Sequence, residues 1–259
     1  MNPIAFHIGT LTIRWYGVMA AVGFLAGCFL VGKFRKYAGM SADQASTSLG
    51  VAMLAGIVGA RLFYVVQFFD AYRNNLLRVF RIDQGGLVFY GGFLLAIAAL
   101  IVYAKLQKLD WVRVLDVYTP GIAVAHACGR IGCFLNGCCY GKPTNLPWGV
   151  VYPPGSEAAE RYFPGSALHP VQLYEAGESL LCLGLYLYLV RRGKRGMAMS
   201  AYLAVYGILR FCNELMRGDH LRTFALTPAQ FIGLGLIPAG ILLFWYFACH
   251  EQQTTDLPH

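Results

Sequence analysis

Seven apolar runs of about twenty residues constrain this chain more than anything else in it. They fall at roughly 13–31, 48–69, 85–104, 115–136, 170–190, 197–216 and 227–247. At 1.5 Å of rise per residue, a helix of that length reaches about 30 Å, the thickness of bilayer hydrocarbon. No water serves the backbone there, so each run must satisfy its own peptide groups as a helix. Only 13% of residues are charged and mean hydropathy is +0.52, whereas a soluble domain is about a quarter charged. The chain lacks the polar surface of a soluble α-domain. The expectation is an all-α integral membrane protein of seven transmembrane helices, one polytopic domain over 1–259.

The links add three expectations. Residues 70–84 are polar with helix-like apolar spacing at Leu76, Leu77 and Phe80, and read as an arm lying in the interface. Residues 137–169 hold Pro143, Pro147, Pro153, Pro154 and Pro164, which reads as a loop or a small β-rich cap between the fourth and fifth helices. Dense basic clusters abut the spans at Lys33, Arg35, Lys36, at Lys105, Lys108, Arg113 and at Arg191, Arg192, Lys194, Arg195. The cationic residues of the other links are spread over longer loops. Basic links stay in the cytoplasm, so the N-terminus and the cap are expected outside and the C-terminus in the cytoplasm. The first residues carry no basic n-region, so the first apolar run is expected to remain as a span. A net charge of +8 without a basic stripe on a soluble face argues against nucleic acid and for anionic lipid.

Three arginines fall inside spans: Arg61, Arg130 and Arg210, in the second, fourth and sixth. Each stands about 13–15 residues in, roughly 20 Å from the cytoplasmic end. A lone arginine at that depth snorkels to the head groups. Three at matched depth, each with polar neighbours, read as a shared anion site. Tyr206, Arg210, Glu214 and Arg217 share one helix face. The fifth span opens with His169, Gln172, Tyr174, Glu175 and Glu178, and the two glutamates are natural partners for the arginines. His126 stands one turn before Arg130 and reads as a core histidine. Tyr16 and Tyr90 stand at the outer starts of spans one and three, Tyr90 within Gly85-Gly-Leu-Val-Phe-Tyr-Gly-Gly92. Arginine grips phosphate bidentately, and within a membrane the phosphate at hand belongs to a phospholipid.

These stretches resemble the bacterial phosphatidylglycerol–prolipoprotein diacylglyceryl transferase family. The resemblance rests on Trp15-Tyr-Gly17, Gly59-Ala-Arg61, the Gly85–Gly92 stretch, Gly129-Arg-Ile-Gly132 with Asn136-Gly137 and Gly141, His169-Pro-Val-Gln-Leu-Tyr-Glu175, and Tyr206-Gly-Ile-Leu-Arg210 with Glu214 and Arg217. It implies an enzyme of the bacterial cytoplasmic (inner) membrane, its active site toward the outer leaflet. The reaction moves the diacylglyceryl group of phosphatidylglycerol to the lipobox cysteine thiol of a prolipoprotein. A thioether forms and glycerol 1-phosphate leaves. No metal or organic cofactor is implied, and a monomer among membrane lipids is expected. Arg130 matches the family's phosphatidylglycerol-binding arginine and Arg210 an essential one. Around them, Arg61, Arg217, Tyr16, Asn136, Gly141, His169 and Gln172 are expected on the lipid, with Glu175, Glu214 and Tyr206 orienting the arginines.

Two departures stand out. Tyr90 occupies the place of a histidine that serves as a candidate base in better-known members. With an ordinary pKa of about 10 it suits lipid positioning at the reaction centre better than proton removal. His169 and His126, and less so Glu214, are the other candidates. Cys133, Cys138 and Cys139 occupy signature positions, open to a disulfide from Cys133, free thiols, or a zinc site together with Cys128. Two rival functions share the pattern: a phospholipid transporter or flippase, and a divergent paralogue with another acceptor.

Overall fold

The computed structural model describes residues 3–9, 11–73, 75–81, 85–161, 165–191, 194–218 and 226–250. Arg192, Arg222, Pro164, the end of the 70–84 arm and the C-terminal tail lie outside the described residues. The fold is mostly helical. Long helices occupy every predicted run: α1 Trp15–Phe34, α2 Ala42–Gln67, α3 Phe89–Leu106, α4 Trp111–Asn136, α6 Val171–Val190, α7 Met197–Met216 and α8 Pro228–His250, with the short α5 at Glu157–Arg161. Five of them, α1, α2, α3, α6 and α8, are long and apolar enough to cross a membrane. The other two long helices, α4 and α7, carry Arg130 and Arg210. Large apolar side chains point outward along the helices, among them Leu25, Phe29, Leu54, Val66, Leu181, Leu242 and Trp245, each more than three-fifths exposed. Exposed apolar surface on that scale is a lipid-facing surface.

The chain divides into two compact units, Val31–Val117 and Met1–Leu30 with Tyr118–His259. In the first, α2 starts at a capping box. Ser41 Oγ accepts from Gln44 N at 3.1 Å and Gln44 Oε1 accepts from Ser41 N at 3.0 Å. Helices α2 and α3 pack backbone to backbone. A Cβ on Gly59 would lie 2.5 Å from the Gly91 carbonyl, and one on Gly92 would lie 2.6 Å from that of Gly56. Glycine at these positions is what lets the two backbones approach so closely. The arm expected to be helical is built from single 3-10 turns at Phe69–Ala71 and Leu76–Phe80, with Leu77 and Phe80 exposed. Its short turns follow from Arg61, whose hold on the arm's carbonyls is described below.

The second unit packs α7 against α6 and α8. Its first residues form a hairpin that the apolar pattern did not predict, β1 Ile4–Ile8 against β2 Leu11–Arg14, antiparallel with a bulge near Ile4. The 137–169 segment is β-rich as expected, with the addition of α5. Strands β3 Val150–Val151 and β4 Ala167–Leu168 pair antiparallel, and Tyr140, Tyr152, Ala158 and Leu168 are buried together. Within this segment Gly141 N donates to His169 O at 3.0 Å, and two backbone bonds tie it to the end of α7, Lys142 N to Met216 O at 2.8 Å and Gly218 N to Tyr140 O at 3.1 Å. Gly141 is compressed between those partners, because a Cβ there would lie 2.6 Å from His169 Cβ.

Candidate active site

The second unit brings four basic side chains around one carboxylate. Glu175, in the first turns of α6, is 3% exposed. Its Oε2 lies 2.6 Å from Arg130 Nε and 3.8 Å from His126 Nε2. Its Oε1 lies 3.3 Å from Arg217 Nη1 and 3.6 Å from Arg210 Nη1. Arg210 Nη1 also meets Glu214 Oε2 at 2.6 Å, one turn along α7. A buried charge is tolerated only when paired and hydrogen-bonded. Here three guanidinium groups face Glu175 and Glu214, and Glu178 lines the same cavity.

The geometry also shows which donors are committed. Arg130 Nε is held by Glu175 and by His126 Nε2, the latter at 3.1 Å. His126 Nδ1 meets Ser179 Oγ at 2.7 Å, and Ser179 Oγ donates to the Glu175 carbonyl at 2.8 Å. Both nitrogens of His126 are therefore occupied in orienting Arg130. Among the described residues, the terminal Nη1 and Nη2 of Arg130 have no protein partner, and the same holds for Nε and Nη2 of Arg210. Tyr206 stands edge-on to His126 with ring centres 5.6 Å apart. A cavity of about 10 Å³, room for one water, is lined by His126, Glu175, Glu178, Arg210 and Asn213 among others. Glu178 accepts from Asn213 Nδ2 and shares its cavity with Arg210.

Around this cluster, Gln172 is buried and donates to Cys138 O at 2.7 Å while accepting from Tyr152 OH at 3.0 Å. Burial pushes the Tyr152 phenol up to about 12, so it remains a donor. His169 Nδ1 lies 3.4 Å from Tyr174 OH, which accepts from Trp148 Nε1 at 2.7 Å. Gly141 is bridged to Arg217. Tyr16 and Asn136 share an open cleft of about 720 Å³ with Thr12, Ile13, Arg14, Gly17, Val18 and Ala21. Arg130 and Cys133, Cys138 and Cys139 all act electrostatically on the Tyr16 hydroxyl. Hydrogen bonds from the Cys133 and Cys138 thiols hold the Cys139 thiol well below its ordinary range, and the Arg217 and Arg130 charges add to this against its burial.

Arg61 belongs to the other unit and is occupied differently from what its depth suggested. Its Nε donates to Val79 O at 2.7 Å, Nη1 to Gly85 O and Gly86 O at 2.8 and 3.1 Å, and Nη2 to Arg78 O and Arg81 O at 2.8 and 3.1 Å. Tyr64 and Tyr72 rings flank it. Five N–H groups meet five carbonyls, so the guanidinium has no donor left for a lipid phosphate. In place of the expected phosphate grip, Arg61 organises the arm. Tyr90, in the first turn of α3, is half exposed beside Phe89.

A sequence model of the family described as prolipoprotein diacylglyceryl transferase matches residues 3–246. The chain belongs to that family. Among its relatives, proteins named phosphatidylglycerol–prolipoprotein diacylglyceryl transferase share 35% identity in Finegoldia magna, over 94% of both chains, and 35% in Clostridium botulinum, over 95% of this chain and 96% of the other. One from Pseudoalteromonas translucida is 34% identical over 98% and 96%. The structure brings Arg130, Arg210, Glu175, Glu214 and Arg217 of the sequence reading together, and adds Ser179, Asn213 and Gly218, which that reading missed. Ser179 stands four residues after Glu175 and Asn213 three after Arg210, spacings that put each on its partner's helix face. A Cβ on Gly218 would lie 2.7 Å from Gly141 O, a backbone approach without a side-chain signal.

Proposed function

We propose that this chain transfers the diacylglyceryl group of phosphatidylglycerol to the lipobox cysteine thiol of a prolipoprotein, forming a thioether and releasing glycerol 1-phosphate. Family membership supports the reaction and favours it over a transporter. The observation that carries the site assignment is the Glu175 hub. It holds Arg130 by its inner nitrogen and Arg210 and Arg217 by Nη1, and leaves the outer fork of Arg130 for phosphate. The leaving phosphate gains charge as the glyceryl C–O bond breaks. Guanidinium donors already oriented in a low-dielectric site stabilise that charge without reorganisation. Arg130 and Arg210 hold the phosphate, while Arg217, Glu175, Glu214 and Tyr206 hold the arginines. Asn136 and Tyr16 line the approach, and His169, Gln172 and Gly141 frame it. His126 positions Arg130 and is not the base, since both of its nitrogens are engaged. Tyr90 positions lipid. Its hydroxyl is dispensable on this reading, and abolition of turnover by Tyr90→Phe with lipid binding intact would contradict that.

The membrane arrangement belongs to the same proposal: seven spans in the bacterial inner membrane, N-terminus and the 137–169 cap outside, the arm in the interface, the site toward the outer leaflet. The five strongly apolar helices and the basic clusters beside them support it. The test is complementation of a transferase-depleted bacterium with mass spectrometry of a lipoprotein N-terminus. A diacylglyceryl thioether on the cysteine is expected. Unmodified lipoprotein beside well-expressed chain would overturn the proposal.

A further inference from the structure

The cleft at Tyr16 has two walls of different kinds. One belongs to α1, which packs on α4 through the stripe Tyr16, Met19, Gly23 and Gly27. A Cβ on Gly132 would lie 3.2 Å from Met19 Cβ and from Tyr16 Cα, one on Gly23 would lie 2.9 Å from Cys128 Cβ, and one on Gly27 would lie 3.4 Å from Gly121 O. Gly17, Val18 and Ala21 lie on the stripe beside that contact and line the cleft. Gly17 and Ala21 are exposed, and a Cβ on Gly17 would meet nothing within 4 Å. Small side chains there make a groove along the helix.

The other wall is β2. Thr12, Ile13 and Arg14 all line the cleft. Successive strand side chains point to opposite faces, so three consecutive residues border one cleft only where it runs along the strand's edge. β2 pairs with β1 in a two-stranded sheet, and among the described residues no strand pairs with its other edge. β2 runs directly into α1 at Trp15, a helix long and apolar enough to cross a membrane. An open strand edge beside an apolar groove is a template for an extended chain. An acyl chain offers nothing to the N–H and C=O groups of that edge, whereas a peptide backbone pairs with them.

Resting on the transfer reaction proposed above, we propose that this cleft is the prolipoprotein subsite. The lipobox segment adds to β2 as a third, extended strand, packs apolar side chains over Gly17, Val18 and Ala21, and brings its cysteine to the lipid held by Arg130. The cleft is continuous with that site. Asn136, at the end of α4, lines it and stands six residues after Arg130, roughly 9 Å along the helix. The Arg130 charge reaches the Tyr16 hydroxyl. An extended peptide covers about 9 Å in about three residues, so the thiol meets the glyceryl carbon while residues about three positions away stay paired with β2.

The test uses the full chain in lipid nanodiscs and a synthetic lipobox peptide, with binding read without turnover. N-methylation of single peptide amides should weaken binding about tenfold at alternate positions of the paired segment, because every second N–H faces β2, and should leave the positions between unchanged. Hydrogen exchange at the Thr12–Arg14 amides should slow when peptide is added and not when phosphatidylglycerol alone is added. Gly17→Leu fills the groove from a position with open space, and should raise KM for the peptide about tenfold or more with KM for phosphatidylglycerol unchanged. An N-methyl scan without a period of two, exchange slowed by phosphatidylglycerol in place of peptide, or a rise in the lipid KM in Gly17→Leu would each overturn the subsite. The scan and the exchange need no product, so a chain that binds peptide in this pattern and transfers nothing would count against the reaction and not against the strand addition.

Discussion

Two buried arginine sites in this molecule solve the same electrostatic problem in opposite ways. Arg61 is compensated by dipoles: five backbone carbonyls take its five N–H groups. Arg130 is compensated by charge: one carboxylate and one imidazole take its Nε, and the planar fork beyond is left for something else. A carbonyl cage saturates a guanidinium and makes it a clasp for the chain. A carboxylate on the inner edge neutralises it, aims it and keeps its donors. Both residues stand inside long apolar helices, Arg61 buried and Arg130 partly so, and that alone does not separate structure from function. The count of remaining donors does.

The comparison breaks most easily at its hub. Glu175→Gln removes the charge that three arginines share, and transfer activity should fall about 1,000-fold. Activity within about tenfold of the parent would show that the hub only holds the fold. Arg130→Lys keeps a positive charge but cannot grip Glu175 and offer a bidentate fork at once. Activity should fall about 100-fold with an apparent Tm close to that of the parent. Arg61→Lys should do the reverse. It replaces five donors by three, each hydrogen bond from a charged group being worth about 1.5–3 kcal/mol. Apparent Tm should drop by several degrees, with activity per folded molecule largely kept. The smallest effect sharpens the frame around Arg61. Gly91→Ala puts a methyl 2.6 Å from Gly59 O, and the overpacking should cost about 1–3 kcal/mol, read as a lower Tm in detergent.

The helices were legible because seven apolar runs of bilayer length admit little else. The hairpin at residues 4–14 was not, since two strands of five and four residues carry too short an alternation to stand out. Glu175, Arg210, Glu214 and Arg217 were legible because a charge inside an apolar helix demands a partner, and helical spacing says which face it is on. Ser179 and Asn213 passed unnoticed because small polar residues are unremarkable in a helix. Arg61 was read wrongly for a physical reason. Its partners are backbone carbonyls, which every residue has and no sequence pattern announces. The thiol trio was visible as a motif, but the fold had to supply its distances, because the left-handed Cys139 turn brings the three sulfurs within 4.8 Å of one another as free thiols.

Phosphatidylglycerol binding, followed by the ³¹P resonance of short-chain lipid titrated into full-length protein, tests the central claim most directly. Arg130→Lys should abolish the bound resonance or shift it toward that of free lipid, while Arg61→Lys leaves it where the parent has it. A bound resonance unchanged by Arg130→Lys and lost in a folded Arg61→Lys would contradict the account.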